Sequence, residues 1–453
     1  MAISDDGINF ERPNLHLYEH DGTSANHIVW EGPQAHNVAP FLDTNPDAAP
    51  DAKWKALGGT GEMYAMKSPD GIHWELMQDE PLDISGAFDS QNTAFWDATA
   101  GVYRSYSRYW DGVRAIQMST STDFINWTEP QPLQYDVSLE HFYTNGIVQV
   151  PGAENVYLGF PMRLITGRTN LPSPGQSGVS DAVFMTSRDG VNWDRIFTEP
   201  WIEEGVDTTR SNMPAWGIIE TADDEWSMYG TEMYRLADNR LRRLVMRPYG
   251  FASVAAGEET GSFETPLLSF GGPNLLLNYR TTESGNIAIE VRDEDGNPIP
   301  GFTRADMLPV SGDELAHHVQ WTSGRSLSEL MGQQIRLYFE MQDADLFAIQ
   351  FAASKLAGDY DGNGAVEQND YLVWKAQFGA SGPHVADGNG NGVVDAADYT
   401  VWRDSVSLSN ATELDAQSVA EPTAFLQAAI VILIALTQVR RTVSSRAVGS
   451  KPC

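Results

Sequence analysis

One seven-residue pattern recurs four times in the first half of the sequence and constrains the fold more than any other feature. Each copy begins with Ser, carries Asp at its third position and ends with an aromatic residue, at 4–10, 68–74, 121–127 and 187–193. The Asp side chain can accept hydrogen bonds from backbone amides two residues on, and the Gly that follows it in three copies allows the positive φ of a tight turn. The copies lie 53 to 66 residues apart, a spacing that fits a unit of four antiparallel strands. Such units repeated around an axis form a β-propeller.

The strands expected ahead of these turns share a second pattern. Each begins with polar residues and continues with apolar ones, at 36–41, 91–96, 143–148 and 215–219. The innermost strands of a propeller start at the mouth of its central funnel, so polar residues at these starts are candidates for ligand contacts. We predict an all-β fold with a five-bladed β-propeller over residues 1–250. Residues 1–15 would be only the tail of a truncated first blade.

The alternative is a string of unrelated hairpins. The first ten residues contain no basic region followed by an apolar core, as a secretory signal would. We expect the chain to begin inside a repeat, with a signal peptide and the rest of the first blade encoded upstream.

The Ser-x-Asp-Gly-x-x-Trp turns, together with strands such as 94–97 and 102–106, resemble the five-bladed propellers of glycoside hydrolase families thirty-two and forty-three. The resemblance covers about residues 1–250 and implies two Asp and one Glu on successive blades. It places Asp89 where these families have the Asp that stabilises the transition state, and Glu140 where they have the general acid. Their first-blade nucleophile motif, Asp-Pro-Asn, does not occur in this sequence.

Glycoside hydrolysis uses one carboxylate as nucleophile or base and a second carboxyl group as acid, roughly 5 to 9.5 Å apart. We therefore predict a secreted glycosidase acting on poly- or oligosaccharide. The alternative is a carbohydrate-binding propeller of the same fold without turnover. An acidic residue at the start of the first inner strand would discriminate between them.

Further side chains are predicted to contact the sugar, because amides and guanidinium groups pair with hydroxyls and an indole stacks on a pyranose face. They are His36, Asn92, His141, Asn145, Arg163, Arg210, Asn212 and Trp216. The two histidines could instead form a metal site with nearby carboxylates.

Residues 251–353 show longer alternating strands, at 275–279, 287–291 and 335–339. Alternation of apolar and polar residues indicates half-buried antiparallel strands, and the turn-forming sequence at 293–298 predicts a hairpin. We predict a β-sandwich with a packing role.

Two twelve-residue segments, offset by 28 residues, carry oxygen ligands at the spacing of a Ca²⁺ loop. The first contains Asp359, Asp361, Asn363, Glu367 and Asp370, with Gly364 at the sixth position and the carbonyl of Ala365 at the seventh. The second contains Asp387, Asn389, Asn391, Asp395 and Asp398, with Gly392 and the carbonyl of Val393 in the matching places. Ca²⁺ takes six to eight oxygens, so the sequence predicts two Ca²⁺ sites. A degenerate acidic linker is the alternative.

Each loop leads into a short helix, at 371–375 and 399–403, without the preceding helix of a full EF-hand. This arrangement resembles a type I dockerin over residues 356–407. The resemblance implies Ca²⁺-dependent folding and a cohesin-like protein as partner.

The last segment, 408–453, combines a Glu-Pro pair, an apolar run at 424–436 and an arginine pair. The run is shorter than the roughly 20 residues a membrane-spanning helix needs. The combination resembles a PEP-CTERM sorting tail, which implies an extracellular or cell-surface protein. A buried or interfacial helix is the alternative.

Charge and cysteine content exclude some classes. The formal net charge is −33, which repels phosphate backbones and argues against nucleic acid as a partner. The single cysteine, Cys453, permits no internal disulfide.

Overall fold

A computed structural model describes residues 1–138, 140–167, 178–203, 213–233, 237, 239–352, 357–360, 366–382, 384–389 and 391–415, with the side chains of 407–415 excepted. The chain divides into two compact units, with the boundary after Ala255. Each unit is described by itself below.

In the described residues, the first unit contains four sheets of four or five strands, numbered here in chain order, and one separate two-stranded hairpin. Sheet 1 is a meander of β1 (Ala39–Leu42), β2 (Trp54–Gly58), β3 (Tyr64–Ser68) and β4 (Glu75–Leu76). Sheet 2 repeats this order with β5 (Thr93–Asp97), β6 (Val102–Trp110), β7 (Arg114–Ser121) and β8 (Gln131–Pro132). The four-stranded units that the repeat predicts are thus present.

Sheet 3 adds an accessory hairpin to the same plan. Its order is β10 (Val148–Val150), β11 (Ala153–Gly159), β14 (Met185–Ser187), β15 (Asn192–Asp194) and β9 (Gln134–Tyr135), the last pair being parallel. The accessory hairpin pairs β12 (Met162–Ile165) with β13 (Val179–Ala182). In sheet 4, β18 (Glu225–Glu232) pairs on one edge with β19 (Arg240–Met246) and also pairs with β16 (Met213–Pro214) and β17 (Ile219–Ala222).

The four repeated turns share one hydrogen-bonding scheme. In the turn at 121–127, one carboxylate oxygen of Asp123 accepts from the amides of Ile125 and Asn126 at 2.9 and 2.7 Å, and the Ser121 hydroxyl accepts from the amide of Phe124 at 2.8 Å. The other three copies make the same bonds. Burial opposes the effect, but these bonds and one from the Asn126 side chain lower the pKa of Asp123 to about 2. The predicted turn chemistry is therefore confirmed in every copy.

The N-terminal turn packs against sheet 4. The hydroxyl of Tyr229, on β18, donates to the carbonyl of Gly7 at 2.6 Å. An equivalent bond links sheet 2 to the turn of sheet 3, where the hydroxyl of Tyr106, on β6, donates to the carbonyl of Gly190 at 3.0 Å. Residues 4–10 therefore occupy the same position relative to sheet 4 as the turn of sheet 3 occupies relative to sheet 2.

Buried carboxylates tie neighbouring sheets together in a repeated manner. Asp43, just after β1, accepts from the hydroxyl of Tyr103 on β6 at 2.8 Å. Asp97, at the end of β5, accepts from the hydroxyl of Tyr157 on β11 at 2.5 Å. Each carboxylate also pairs with a cation, Lys55 for Asp43 and Arg104 for Asp97. The core between sheets is mostly aromatic and aliphatic, and Trp96, Trp127 and Trp193 belong to it, as predicted.

The second unit is built on one five-stranded sheet. Its two long strands, β22 (Asn274–Arg292) and β24 (Arg336–Ala352), pair along nearly their whole length, flanked by β20 (Val254–Ala256), β21 (Gly261–Glu264) and β23 (Asp313–His318). The expected strands at 275–279 and 287–291 are both parts of β22, separated by a shift in register between Thr281 and Asn286. The described strands of this unit are therefore connected by hydrogen bonds into one sheet with a register shift in its two long strands, and the β-sandwich stays a prediction.

The predicted hairpin at 293–298 is confirmed. The amide of Asp293 donates to the carbonyl of Asn297, and the Asp293 carboxylate accepts from the amides of Asp295 and Asn297.

Two helices follow, α1 (Gln368–Gln377) and α2 (Ala396–Asp415). They begin within the two predicted loops, where Asp370 and Asp398 occupy the first turns. Tyr360, Ala386 and Val394 form their small core, with Trp374 and Trp402 packed against it. No helix in the described part of the chain is long and apolar enough to cross a bilayer.

Candidate functional site

The candidate site lies where the inner strands of sheets 2 and 3 begin. In an antiparallel meander, the start of the first strand, the end of the second and the start of the third lie at one end of the sheet. Asp89 precedes β5, Trp110 ends β6 and Arg114 begins β7. We call the group formed by these residues with Arg108, Glu140, His141 and Tyr143 the mouth.

Asp89 forms an ion pair with Arg108, near the end of β6. Its side chain is 59% exposed, whereas Arg108 is buried and its guanidinium lies over the ring of Tyr143, 4.9 Å from the centroid. The carboxylate of Asp89 is therefore open to solvent on one side and fixed by a cation on the other.

Glu140 is held by two arginines. One carboxylate oxygen accepts from Arg163 at 2.9 Å and the other is 2.7 Å from Arg195, while 34% of its side chain stays exposed. Arg163 also binds Asp181 through two bonds of 3.0 and 2.7 Å. Burial opposes the effect, but Asp181 and then Glu140 raise the pKa of Arg163. Both carboxylate oxygens of Glu140 are therefore occupied by guanidinium groups.

Arg195 is the more buried of the two arginines that pair with Glu140. It is 1% exposed and lies over the ring of Phe142 at 5.1 Å. Its Nε and Nη2 have no hydrogen-bond partner within the described part of the chain. Arg195 therefore relies mainly on Glu140 and the aromatic ring to offset its burial.

Arg114 differs from Arg108, Arg163 and Arg195 in that it forms no ion pair with a carboxylate among the residues that the structure describes. Its guanidinium lies 5.8 Å from the ring of Trp110 and 5.9 Å from that of Tyr143, and its Nη1 is 3.5 Å from Nδ1 of His141. Among the residues that the structure describes, it pairs with no carboxylate, because Asp89 and Glu140 are paired elsewhere. Trp110 beside it is 63% exposed, which makes it a flat apolar surface at the edge of the mouth.

The structure brings Asp89, Glu140 and His141 to the same end of sheets 2 and 3 through a chain of contacts. Asp89 contacts Arg108, and Arg108 and Arg114 lie over the ring of Tyr143. Arg114 in turn contacts His141, the neighbour of Glu140. The predicted pair thus belongs to one electrostatic group.

Asn92 and Asn145 are not at the surface, contrary to the prediction that they contact sugar. Both are buried, and the amide of Asn92 donates to the carbonyls of Phe88 and Ser90. Asn145 donates to the carbonyls of Gln91 and Tyr106 and accepts from Thr93. Their amides are used to fix the loops that precede the inner strands.

Trp216 and Arg163 are likewise engaged in packing. The indole N–H of Trp216 donates to the carbonyl of Ile147 at 2.7 Å, and its ring packs against the core between sheets. Arg163 is fully used by Asp181, Glu140 and the carbonyl of Thr198. His36 is exposed and precedes β1. Arg210 and Asn212 lie outside the described residues.

Sequence reasoning missed Trp110, Arg108, Arg114, Tyr143, Asp181 and Arg195. A signal existed for two of them, because Trp110 and Arg114 flank an Asp-Gly turn and are directly paired across the hairpin. The others act through partners distant in the sequence.

The second of the two predicted Ca²⁺ loops is described at every position except 390. The Asp387 carboxylate accepts from the amides of Asn391 and Gly392, and the Asp398 carboxylate accepts from the amides of Asn389 and Asp395. Gly392 has φ +83°, which supplies the sharp turn expected at the sixth position. The donor set consists of oxygens only, as a hard cation such as Ca²⁺ requires.

The first loop is described at its two ends. The Asp370 carboxylate accepts from the amides of Tyr360 and Glu367, both at 2.7 Å. Asp359 is buried, whereas Asp361, Asn363, Gly364 and Ala365 lie outside the described residues. Within the described ranges, no group of three or more His, Cys, Asp or Glu side chains is arranged to hold a metal ion.

The two halves of the helical module exchange hydrogen bonds. The indole N–H of Trp374, on α1, donates to the carbonyl of Asp395 in the second loop at 2.9 Å. The indole N–H of Trp402, on α2, donates to the carbonyl of Glu367 in the first loop at 2.8 Å. Each loop is therefore fixed by the helix of the other repeat.

Comparison with known proteins gives fold similarity only. No family model matches the chain, and no curated protein shows significant sequence similarity to it. A solved structure titled glycoside hydrolase is 13% identical, with a TM-score of 0.38, and the match covers 55% of this chain and 77% of that one. A family 43 arabinoxylan arabinofuranohydrolase from Bacillus subtilis is 11% identical, with a TM-score of 0.30 and coverage of 66% and 76%.

An N-acetylgalactosamine deacetylase from F. plautii is 14% identical, with a TM-score of 0.32 and coverage of 74% and 79%. With TM-scores below 0.5, these similarities assign no role to any residue, and the functional argument rests on the mouth itself.

Proposed function

We propose that the first unit is a propeller glycoside hydrolase that binds poly- or oligosaccharide at the mouth. The observation that carries the proposal is the placement of Asp89 and Glu140. They precede the inner strands of successive sheets and stay partly exposed, and the exposed indole of Trp110 lies 6.0 Å from the ring of His141, the neighbour of Glu140. Two carboxyl groups at one opening are what glycosidic bond cleavage requires.

In this proposal Glu140 donates a proton to the leaving oxygen as the glycosidic bond breaks, a water molecule adds to the anomeric carbon and loses its proton to solvent, and Asp89 stabilises the positive charge that develops on the sugar ring. Arg163 and Arg195 occupy both carboxylate oxygens of Glu140, so the substrate has to displace one arginine before its leaving oxygen can reach the carboxyl group. Trp110 offers the flat face on which a pyranose ring stacks.

The contacts of Glu140 also favour a second candidate function. A carboxylate locked by two arginines is suited to accept hydrogen bonds from sugar hydroxyls without transferring a proton. The same mouth would then bind carbohydrate without turnover.

The variant Glu140→Gln separates these two functions. The amide keeps the shape of the side chain but cannot donate a proton, so turnover of a glycan panel should fall by about 100-fold or more while binding is retained. Asp111→Asn, at the tip of the β6–β7 hairpin, is the control and should leave turnover unchanged. Glycan binding with no hydrolysis by the unaltered chain would reject the hydrolase and support the binding protein. Absence of any glycan binding would reject both.

We further propose that the sheets belong to a five-bladed propeller. Sheets 1 to 4 supply four blades, and residues 4–10 supply the turn of the fifth. The support is the equivalence of the Tyr229 to Gly7 and Tyr106 to Gly190 hydrogen bonds, because the first places residues 4–10 next to sheet 4. Tyr229→Phe should therefore loosen residues 1–11, which hydrogen exchange would detect. Unchanged exchange there would contradict this arrangement.

For the helical module we propose a dockerin-like function with one Ca²⁺ in each loop, at an extracellular or cell-surface location. The all-oxygen donor set of the second loop supports the ions. Leu372, on α1, and Phe378, which directly follows α1, are exposed apolar side chains beside an aromatic cleft, which supports a cohesin-like protein as partner.

Calorimetric titration of the full chain with Ca²⁺ tests the proposal. The double variant Asp359→Ala with Asp387→Ala should abolish binding, because each loop loses its first ligand. Asp404→Ala, an exposed acidic residue on α2 outside both loops, is the control. Equal heats for the double variant and the unaltered chain would show that these loops are not the sites.

A further inference from the structure

The arginines of the mouth point to the charge of its ligand. The chain as a whole carries a formal charge of −33, yet the mouth and its supporting residues gather Arg108, Arg114, Arg163 and Arg195. Their carboxylate partners are Asp89, Glu140 and Asp181. Four guanidinium groups against three carboxylates leave one positive charge in excess, at Arg114.

Arg114 is placed to receive an anion. Its guanidinium is held between the rings of Trp110 and Tyr143 and close to His141, so its position is fixed without an ion pair. Other charges nearby do not cancel it in the described residues, since Asp89 and Glu140 bind other arginines and Asp111, at the hairpin tip, forms no ion pair with it. A guanidinium fixed in this way suits a planar carboxylate, which it can bind through two parallel hydrogen bonds.

We propose that the mouth recognises acidic sugars, with the ring of a uronic acid residue stacked on Trp110 and its carboxylate paired with Arg114. The inference rests on the proposed function of the mouth as a carbohydrate site and names the substrate class. Trp110 supplies the apolar face and Arg114 the charge, and both lie on the one hairpin between β6 and β7. The negative charge of the remaining surface disfavours binding of an acidic glycan elsewhere on the chain, so that its binding is expected at the mouth.

The test measures binding of the full chain to matched uronic acid and neutral oligosaccharides by calorimetry. Oligogalacturonides are compared with neutral galacto-oligosaccharides of equal length at low and at high salt. The unaltered chain should prefer the acidic series at least tenfold at low salt, and the preference should shrink as salt rises.

Arg114→Gln should reduce binding of the acidic series at least tenfold and leave binding of the neutral series within twofold. Arg12→Gln removes the same charge from an exposed residue of the same unit and is the matched control. Trp110→Ala should weaken binding of both series, because the sugar ring of an acidic or a neutral ligand would lose the indole on which it stacks.

The outcomes distinguish the two levels of the proposal. Equal binding of both series, or an acidic preference that survives Arg114→Gln, overturns the assignment to uronic acids and leaves the carbohydrate site standing. Binding of neither series to the unaltered chain overturns both. If Arg114→Gln loses binding of both series while its thermal melting profile is unchanged, the assignment to uronic acids is also overturned, because the arginine would then bind neutral and acidic sugars alike.

Discussion

Replacing Asp97 by Asn should destabilise the first unit more than any substitution of an exposed charge. The side chain of Asp97 is fully buried and accepts from Arg104 Nε at 2.5 Å, from the Tyr157 hydroxyl at 2.5 Å and from the amide of Ala100 at 3.0 Å. The bond from Tyr157, on β11, connects sheet 2 to sheet 3, and the other two lie within sheet 2. The amide of Asn carries no charge, so Arg104 would be left mostly buried without its counter-ion.

Removing one partner of a buried ion pair costs about 3 to 5 kcal/mol. For a unit of this size, such a loss corresponds to a fall in melting temperature of roughly 10 °C. Urea unfolding followed by tryptophan fluorescence measures the free energy, because Trp96 and Trp193 lie in the adjoining core.

The matched control is Asp51→Asn. Asp51 also pairs with a cation, Lys67, but is 59% exposed, so solvent screens the pair and its loss should cost far less than the loss of Asp97. If the free energies of unfolding of Asp97→Asn and Asp51→Asn differ by less than about 1 kcal/mol, Asp97 does not hold the sheets together and the reasoning is refuted.

Three further predictions concern a turn, a close contact and the helical module. Since the pKa of Asp123 is lowered in the folded state, its stabilisation is complete above about pH 4 and is lost as pH falls towards about 2; the difference in urea midpoint between the unaltered chain and Asp123→Asn should close over that interval, and a difference independent of pH would contradict it. Gly190→Ala should destabilise the chain well beyond Gly112→Ala, because both glycines have positive φ but only at Gly190 would the new Cβ approach Tyr106 and Arg104, at 2.5 and 2.7 Å; equal melting temperatures would show that the contact is easily relieved. Trp402→Phe removes the indole bond to Glu367 and should weaken Ca²⁺ binding at the first loop by about fivefold, since one hydrogen bond contributes about 1 kcal/mol, with Trp110→Phe as the control; an unchanged titration would mean that the bond does not support the loop.

The turns could be predicted because their physics is local. The serine, the aspartate and the amides they bind lie within seven residues, so the sequence alone specifies the hydrogen bonds. The starts of α1 and α2 are local in the same sense, whereas the binding of Ca²⁺ by the loops before them stays a prediction. Fold class follows from the repetition of such segments.

The side chains of the mouth could not be assigned in this way. Asn145 has the composition expected of a sugar contact, but its partners Gln91 and Tyr106 are 54 and 39 residues away, and only the packing of sheets 2 and 3 shows that its amide is occupied. The arginines on Glu140 come from an accessory hairpin and from the segment after β15. The joining of two expected strands into β22 depends equally on a distant partner, β24.

The exchange of indole bonds between the halves of the helical module bears on how a duplicated segment arises. A single half, with one loop and one helix, has an indole N–H and a loop carbonyl that cannot reach each other, but two halves satisfy both. This is the arrangement of a symmetric dimer whose subunits have been fused into one chain. A peptide of residues 357–382 is therefore expected to gain helix only as it dimerises, so that its helicity depends on concentration. Sedimentation would measure the dimerisation and circular dichroism the helicity. Agreement between the two would show that ancestry from a self-associating single loop is physically possible.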